Sequence, residues 1–325
     1  MTRALIADPD LPVKAREGRL DELVGCVGCN ACIAHYHAGT ELRCAVNPRT
    51  GRERRLAGPT RAGSRRRVVV VGGGPAGIAA AIEAGRAGHE VLLLERADCL
   101  GGQVALAGRA PAGRDLASRF LDNAHRQLAL AGVAVMLGTS DIEAAGADLL
   151  VLATGARPYR DAGLDLQGDS AIDAWDVIAG TPVPDGPVVV ADWGGDPSGL
   201  DAAEVLAAAG RDVTLAVASV AVGELIHQYR RNLYLQRLYR AGVRILHHHR
   251  LDAARDGTVR LSNVFAPELT LELPAAAVVL ALGRVPVEVE PPPGIPVERA
   301  GDCLSPRSLE EAVLEGTLAA RRVVA

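Results

Sequence analysis

Four of the six cysteines fall in one short stretch, CVGCNACIAHYHAGTELRC at 26–44. The spacing is Cys26-x2-Cys29-x2-Cys32-x11-Cys44. In a reducing compartment, thiols crowded in this way serve as metal or cluster ligands more often than as disulfide partners. Three thiolates at three-residue intervals wrap one loop around a compact centre, with a fourth supplied from farther on. That pattern suits a four-iron four-sulfur cluster. A four-cysteine zinc site usually draws on two C-x2-C knuckles from separate hairpins, and the second knuckle is missing here, so the spacing favours the cluster and keeps zinc as the alternative. Gly28 lets the loop curl and Asn30 is positioned to cap it. His35 and His37 read as surface histidines rather than ligands.

A second set of residues suits a different chemistry. VVVVGGGPAGIAAAIEAGRAGHEVLLLE at 68–95 sets Gly72, Gly74 and Gly77 in G-x-G-x-x-G order and ends on Glu95, 23 residues beyond Gly72. Gly72 suits the tight turn, Gly74 the approach of a pyrophosphate to a helix N-terminus, Gly77 helix-on-strand packing, and Glu95 the ribose hydroxyls. The glycines alone say little. A buried strand before them, an alanine-rich helix after them and an acid at the right distance make a dinucleotide-binding unit.

Later stretches bear on which dinucleotide is held. LGGQ at 100–103 follows the second strand, and DLLVLATGARP at 148–158 reads as a buried strand with a glycine turn. AGDCLSPRSLEEA at 300–312 places Gly301 and Asp302 ahead of a helix expected to start near Ser305 or Pro306. A carboxylate and helix amides there would serve a polyol and a flavin pyrimidine edge. The plainer reading of Asp302, a helix N-cap only, does not account for all these segments occurring together. The expected cradle is Gly72, Gly74, Pro75, Ala76 and Gly77 with Glu95, Arg96, Gly102, Gln103, Ala153, Thr154, Gly155, Gly301 and Asp302.

The segment PVVVADWGGDPSGLDAAEVLAAAGRDVTLAVAS at 187–219 repeats the strand, turn, helix, strand order of the first unit. Aligned as Gly194-x-Asp196-x-x-Gly199, its middle glycine is an aspartate, whose bulk and charge oppose a pyrophosphate. Its following strand ends in LAVAS, with neither an acid for a 2′-hydroxyl nor an arginine for a 2′-phosphate. The pattern argues against tight NAD(P)H binding. GELIHQYRRNLYLQRLYRAG at 223–242 is expected to be an amphipathic scaffold helix, with Leu225, Tyr229, Leu233, Gln236 and Tyr239 along one side and no ligand role for His227 or Tyr229. The histidines at 247–249 end a short strand.

These elements need a chain long enough for two sizeable cores, and 325 residues supply it. A hydrophobic fraction of 49% with only 3% aromatics fits alanine-, valine- and leucine-based α/β cores. The net charge of -4 favours neither nucleic acid nor an anionic membrane. The longest uncharged run, 68–82, is too short and too glycine-rich to span a bilayer, and the N-terminus lacks a signal-peptide core. The expected location is cytoplasmic. Cys99 and Cys303 lack partners at redox spacing, and the arginines at 65–67 read as a solvated linker, Lys14 being the chain's one lysine.

The opening MTRALIADPDLP and KAREGRLDE, the cysteine loop with its CAVNPRTGRE ending, the glycine turn and the GDCLSPR terminus together resemble the C-terminal half of the 2,4-dienoyl-CoA reductase and trimethylamine dehydrogenase family. That family lies within the old yellow enzyme-like NADH:flavin oxidoreductases, and the similarity runs along essentially the whole chain. It implies an N-terminal (β/α)8 barrel with FMN, a [4Fe-4S] cluster on the cysteine loop, and FAD or ADP in the remainder. By resemblance Cys26, Cys29, Cys32 and Cys44 are cluster ligands, Gly72, Gly74, Gly77 and Glu95 hold the ADP part, Asp302 lies near the flavin ribityl, and Arg3 matches an arginine on the FMN phosphate. The chain starts where the family's barrel finishes. A split enzyme, a fragment and a gene start at an internal methionine all account for that, and in each case Leu5, Ile6 and Leu11 would await a partner.

The expected fold is α/β, two Rossmann-like dinucleotide-binding domains with one inserted in the other. Residues 1–62 are the barrel-end remnant, cysteine loop and linker; 63–183 plus 277–325 form the FAD (or ADP) domain; 184–276 form the degenerate second domain. The expected function is an electron-transfer module of an iron-sulfur flavoprotein oxidoreductase, with an FMN-carrying barrel subunit or an electron-transfer flavoprotein as partner. An NAD(P)H-oxidising input subunit, similar to the glutamate synthase small subunit, is the first alternative. A non-catalytic assembly or regulatory subunit is the second. No catalytic side chain is singled out, because the family's substrate pocket lies in the barrel.

Overall fold

Val68–Val71, Leu92–Leu94 and Leu149–Leu152 are apolar at every position, a pattern that suits strands buried on both faces. The computed structural model describes residues 2–57, 63–142, 146–167 and 171–324; residues 58–62 of the arginine-rich linker lie outside it. The chain divides into two units, one of Met1–Ala105, Asp115–Arg157 and Val285–Ala325, the other of Leu106–Arg114 and Pro158–Arg284.

In the first unit the apolar runs form a parallel five-stranded sheet in the order Val297–Arg299, Leu149–Leu152, Arg67–Val71, Glu90–Glu95, Ala134–Leu137. Val68 is level with Val91 on one side and Leu149 on the other. Alternate residues fill two separate layers, as strand geometry demands. Val68, Val70, Leu93 and Val151 pack with Ile78, Phe120, Leu128 and Val313 of three helices. Val69, Leu92, Leu94 and Leu150 pack with Ile142, Ile295 and Val297. The closing helix Leu309–Val324 runs tightly along the helix Pro75–Arg86: a Cβ on Gly316 would stand 2.0 Å from the Ala76 carbonyl oxygen.

The second unit holds another parallel sheet, ordered Arg244–His247, Val213–Val217, Val188–Asp192, Ala277–Ala281, Ala171–Asp173. Helices Ala174–Ala179, Pro197–Ala208 and Gln228–Arg240 supply one core layer. A four-stranded sheet, in which Asp165–Leu166 joins the three longer strands between 249 and 274, supplies the other. Because Ala171–Asp173 pairs with Ala277–Ala281 and Asp165–Leu166 with His249–Arg255, this unit takes in Pro158–Val183 and Ala277–Arg284 besides 184–276. Strands of two or three residues leave no periodic signal in a sequence.

Two expectations are corrected here. The helix Gln228–Arg240 turns its other side inward, burying Tyr234 and Leu238, while Leu225, Tyr229, Leu233 and Tyr239 stay exposed. The Tyr234 hydroxyl donates to the buried carboxylate of Asp201 at 2.7 Å, which makes the tyrosine acceptable inside. The final helix starts at Leu309, not near Ser305 or Pro306. Ser308 and Glu311 form a reciprocal cap: Ser308 N donates to the Glu311 carboxylate at 3.2 Å, and Glu310 N to Ser308 Oγ at 3.2 Å.

Candidate functional site

The turn after strand Arg67–Val71 is packed from below and open above. A Cβ on Gly72 would lie 2.2 Å from the Ala153 carbonyl oxygen, and one on Gly77 would lie 1.8 Å from that of Gly72. Gly72 also sits at φ +108°, in the region that favours glycine. By contrast, nothing stands within 4 Å of the position a Cβ would take on Gly74, which is the N-cap of the 12-residue helix Pro75–Arg86. Bare amides at an uncovered helix start form an anion cradle.

The other expected segments converge on this turn. Gly102 lies against it, 3.4 Å from the Gly74 Cα to a Cβ built on Gly102. Gly301 touches Ala76 in the same way at 2.6 Å. Gln103 Nε2 donates to Asp302 Oδ2 at 2.9 Å, and Asp302 Oδ1 accepts from Arg307 N at 3.1 Å. Thr154 Oγ1 donates to the Val287 carbonyl at 2.7 Å and Val287 N to that of Gly155 at 3.0 Å, fixing the strand end next to Ala153. Glu95 is buried and accepts from Gly73 N at 2.6 Å and Ala97 N at 2.8 Å, so it braces the glycine turn as well as facing it. Arg96 follows it into solvent. Pro75 instead lines a cavity of about 180 Å³ between the N-terminal segment and the helices Pro75–Arg86 and Arg114–Leu130. Sequence reasoning missed Gly73, whose Cβ would strike Leu100 Cδ2 at 2.5 Å, and the contact of Gly316 with Ala76; a glycine inside a helix was the available signal.

In the cysteine segment Cys32 and Cys44 are buried and Cys26 and Cys29 half-buried. Burial pushes the Cys44 thiol up to about 11 and raises that of Cys29, and neighbouring cysteines add to both shifts. Against this, the amides of Ala31 and Ala45 point at Cys29 and those of Val46 and Asn47 at Cys44. Amides aimed at sulfur stabilise thiolates. Among the described residues, no three His, Cys, Asp or Glu side chains gather tightly enough to hold a metal ion. The four thiols are near enough to feel one another's charge, and an all-sulfur donor set of this kind suits a [4Fe-4S] cluster as it does four-cysteine zinc.

The segment is anchored at both ends. Asn123 accepts from Gly25 N at 2.9 Å and donates to Gly25 O at 2.7 Å. Arg49 reaches the buried Glu83 at 2.9 Å, which Arg321 also meets at 2.7 Å. His35 departs from the surface reading: its Nε2 lies 2.8 Å from the buried Glu310, and its Nδ1 lies 3.0 Å from Thr40 Oγ1. Gly28 takes φ +71°, as the curl requires, whereas Asn30 occupies the N-cap in a left-handed conformation without a side-chain capping bond and accepts instead from Arg3.

The second glycine turn differs at one decisive residue. Asp196 caps the helix Pro197–Ala208, accepting from Ser198 N at 2.8 Å, and pairs with Arg284 at 3.1 Å. Its own carboxylate thus occupies the helix start that Gly74 leaves open in the first unit. Beneath it Asp192 is fully buried; burial pushes its carboxyl up to about 7, Oδ1 accepts from Gly195 N, and Oδ2 has no partner among the described residues.

Residues 66–304 match the pyridine nucleotide-disulphide oxidoreductase family. Over 221 residues, 66% of this chain and 34% of the relative, the chain is 41% identical to an NADH oxidase of Thermoanaerobacter brockii. Over 97% of this chain and 52% of the relative it is 32% identical to an N,N-dimethylglycine/sarcosine dehydrogenase of Chromohalobacter salexigens. A 2-naphthoyl-CoA reductase structure superposes with a TM-score of 0.89 at 27% identity, covering 98% of this chain and 49% of that one. The chain thus spans about half or less of the length of these relatives. Among the described residues no helix is long and apolar enough to cross a membrane.

Proposed function

Because the chain belongs to the pyridine nucleotide-disulphide oxidoreductase family, and its relatives join it to the C-terminal part of the 2,4-dienoyl-CoA reductase and trimethylamine dehydrogenase proteins, we propose that it is the electron-relay portion of an iron-sulfur flavoprotein. The observation that carries this reading is the contrast between an open turn at Gly74 and a self-capped one at Asp196. One nucleotide is held, by the first unit.

The amides at the start of helix Pro75–Arg86 receive the pyrophosphate of FAD, or of ADP in its place, and Glu95 receives the ribose while holding the turn through Gly73. Asp302, oriented by Gln103 and Arg307, takes the polyol. Cys26, Cys29, Cys32 and Cys44 hold the [4Fe-4S] cluster, with the amides of Ala31, Ala45, Val46 and Asn47 favouring thiolate. When bound, the flavin supplies conversion between two-electron and one-electron steps, and the cluster supplies one-electron relay. An FMN-carrying barrel or an electron-transfer flavoprotein is the partner; Leu5, 38% exposed, and half-buried Ile6 and Leu11 lie in the segment it would cover.

The likeness to an NADH oxidase favours a second reading, input from NAD(P)H. An anaerobic visible spectrum with iron and flavin assays, followed by NADH and then NADPH, separates the two. Cluster absorbance and flavin that neither nucleotide bleaches is the expected result; rapid bleaching establishes the NAD(P)H input instead. Colourless, iron-free protein overturns both.

A further inference from the structure

The second unit carries a face that its own packing leaves in water. On the helix Gln228–Arg240, Tyr234 and Leu238 point inward, and Tyr229, Leu233, Gln236, Tyr239 and Arg240 follow one another along the outer side at helical spacing. Leu225 is 71% exposed, Leu233 45% and Tyr239 59%. The stripe begins at the glycine turn itself, because Leu225 N donates to the Gly195 carbonyl at 3.0 Å. Apolar side chains aligned in this way on a soluble unit call for cover.

Charge indicates what the cover is. From Leu225 to Leu251 the sequence has arginines at 230, 231, 237, 240, 244 and 250 and no aspartate or glutamate. Arg237 is taken by Glu204, and Arg250 lies 3.4 Å from Asp252. Arg240 and Arg244, both exposed, make no ion pair among the described residues. Tyrosine and arginine around an aliphatic centre, with no lysine, with Glu204 and Asp252 already met by arginines and with exposed Glu224 only at its edge, is the composition of protein-binding surfaces. Phosphates of a nucleic acid would satisfy the arginines, but they offer Leu225 and Leu233 no dry contact.

We propose that this face docks a small acidic electron-carrier protein, whose carboxylates meet Arg240 and Arg244 and whose apolar patch covers Leu225, Leu233 and Tyr239. The proposal rests on the relay reading above, in which the chain's electrons pass to or from another protein and the second unit, closed to a pyridine nucleotide at Asp196, serves as that protein's docking platform. Opposite charges steer the encounter and the leucines hold it.

The test is isothermal titration of the full chain with a plant-type [2Fe-2S] ferredoxin at low salt and at about 0.3 M salt. Saturable one-to-one binding is expected, weakened roughly tenfold or more by R240E/R244E, by Leu233→Asp and by the added salt, and unchanged by Arg65→Glu on the first unit. Should Leu233→Asp lower the melting temperature, the exposed R240E/R244E pair carries the test. Absence of saturable binding overturns the proposal, as does equal weakening by Arg65→Glu. Displacement of ferredoxin by a DNA duplex overturns it in favour of nucleic acid, and sedimentation as a dimer that Leu233→Asp dissolves overturns it in favour of a second copy. Iron and flavin assays on the same sample test the relay reading separately, since binding can be read on protein without cofactors.

Discussion

The Gln103 side-chain amide donates to the Asp302 carboxylate at 2.9 Å across 199 residues of sequence, and both lie beside the open turn at Gly74. The pair ties the segment after the second strand to the segment before the last helix, so each fixes the other's place beside the open turn. Asp302→Ala removes the acceptor for both Gln103 and Arg307 N and is expected to weaken flavin retention about tenfold, the effect of one charge-assisted hydrogen bond of ~1.5 kcal/mol. Flavin content after gel filtration measures it. An Asp302→Ala protein with full flavin would remove this carboxylate from the site.

The three fingerprint glycines are expected to fail in different ways. Gly77→Ala places a methyl 1.8 Å from the Gly72 oxygen, a backbone clash that only a shift of the helix can relieve, so stability falls by roughly 2–4 kcal/mol. Gly74→Ala meets nothing within 4 Å, so the fold is kept while the pyrophosphate loses its approach. Melting temperature and nucleotide content, measured on both variants, separate the effects. Equal melting temperatures would mean that the contact at Gly77 does not hold in solution.

Much of this arrangement was legible because it rests on short-range patterns. Uninterrupted apolar runs gave the buried strands at 68–71 and 149–152, and the glycine order gave the first turn. The aspartate at 196 announced that the second turn would differ, although not that its carboxylate would cap the helix. What escaped depends on partners distant in sequence. His35 meets Glu310, and Tyr234 turns inward to Asp201; helical periodicity cannot choose between two apolar stripes when a buried acid decides the matter. The start at Leu309 was readable in Ser308 and Glu311, a capping pair overlooked in favour of Pro306.

Buried acids should make the second unit lose stability as pH rises. Burial raises the carboxyls of Asp192 and Asp201 to about 7 from 3.8, so the folded chain holds protons that the unfolded chain releases. Their contribution is fully present below about pH 4 and is lost between there and about pH 7. Both tryptophans, Trp175 and Trp193, lie in this unit and report its unfolding. Between pH 5 and 8, urea unfolding followed by tryptophan fluorescence should show a drop on the order of 2 kcal/mol smaller in Asp192→Asn than in the unaltered chain. An undiminished drop in that variant would show that Asp192 is already ionised at pH 5.

Replacing the self-cap should reopen the second turn. In Asp196→Gly the helix Pro197–Ala208 loses the bond from Ser198 N and the pairing with Arg284, leaving amides and a guanidinium where a pyrophosphate would sit. Glycine at an N-cap costs only a few tenths of a kcal/mol, so folding should be retained. The strand that follows still ends in Ala-Val-Ala-Ser, without a ribose acid, so affinity is expected to be modest. Fluorescence titration with NADH should show binding at least about tenfold tighter in Asp196→Gly than in the unaltered chain, corresponding to removal of ~1.4 kcal/mol of repulsion. Equal affinity in the two proteins would show that Asp196 is not what bars the nucleotide, and tight binding in both would return the second unit to pyridine nucleotide chemistry.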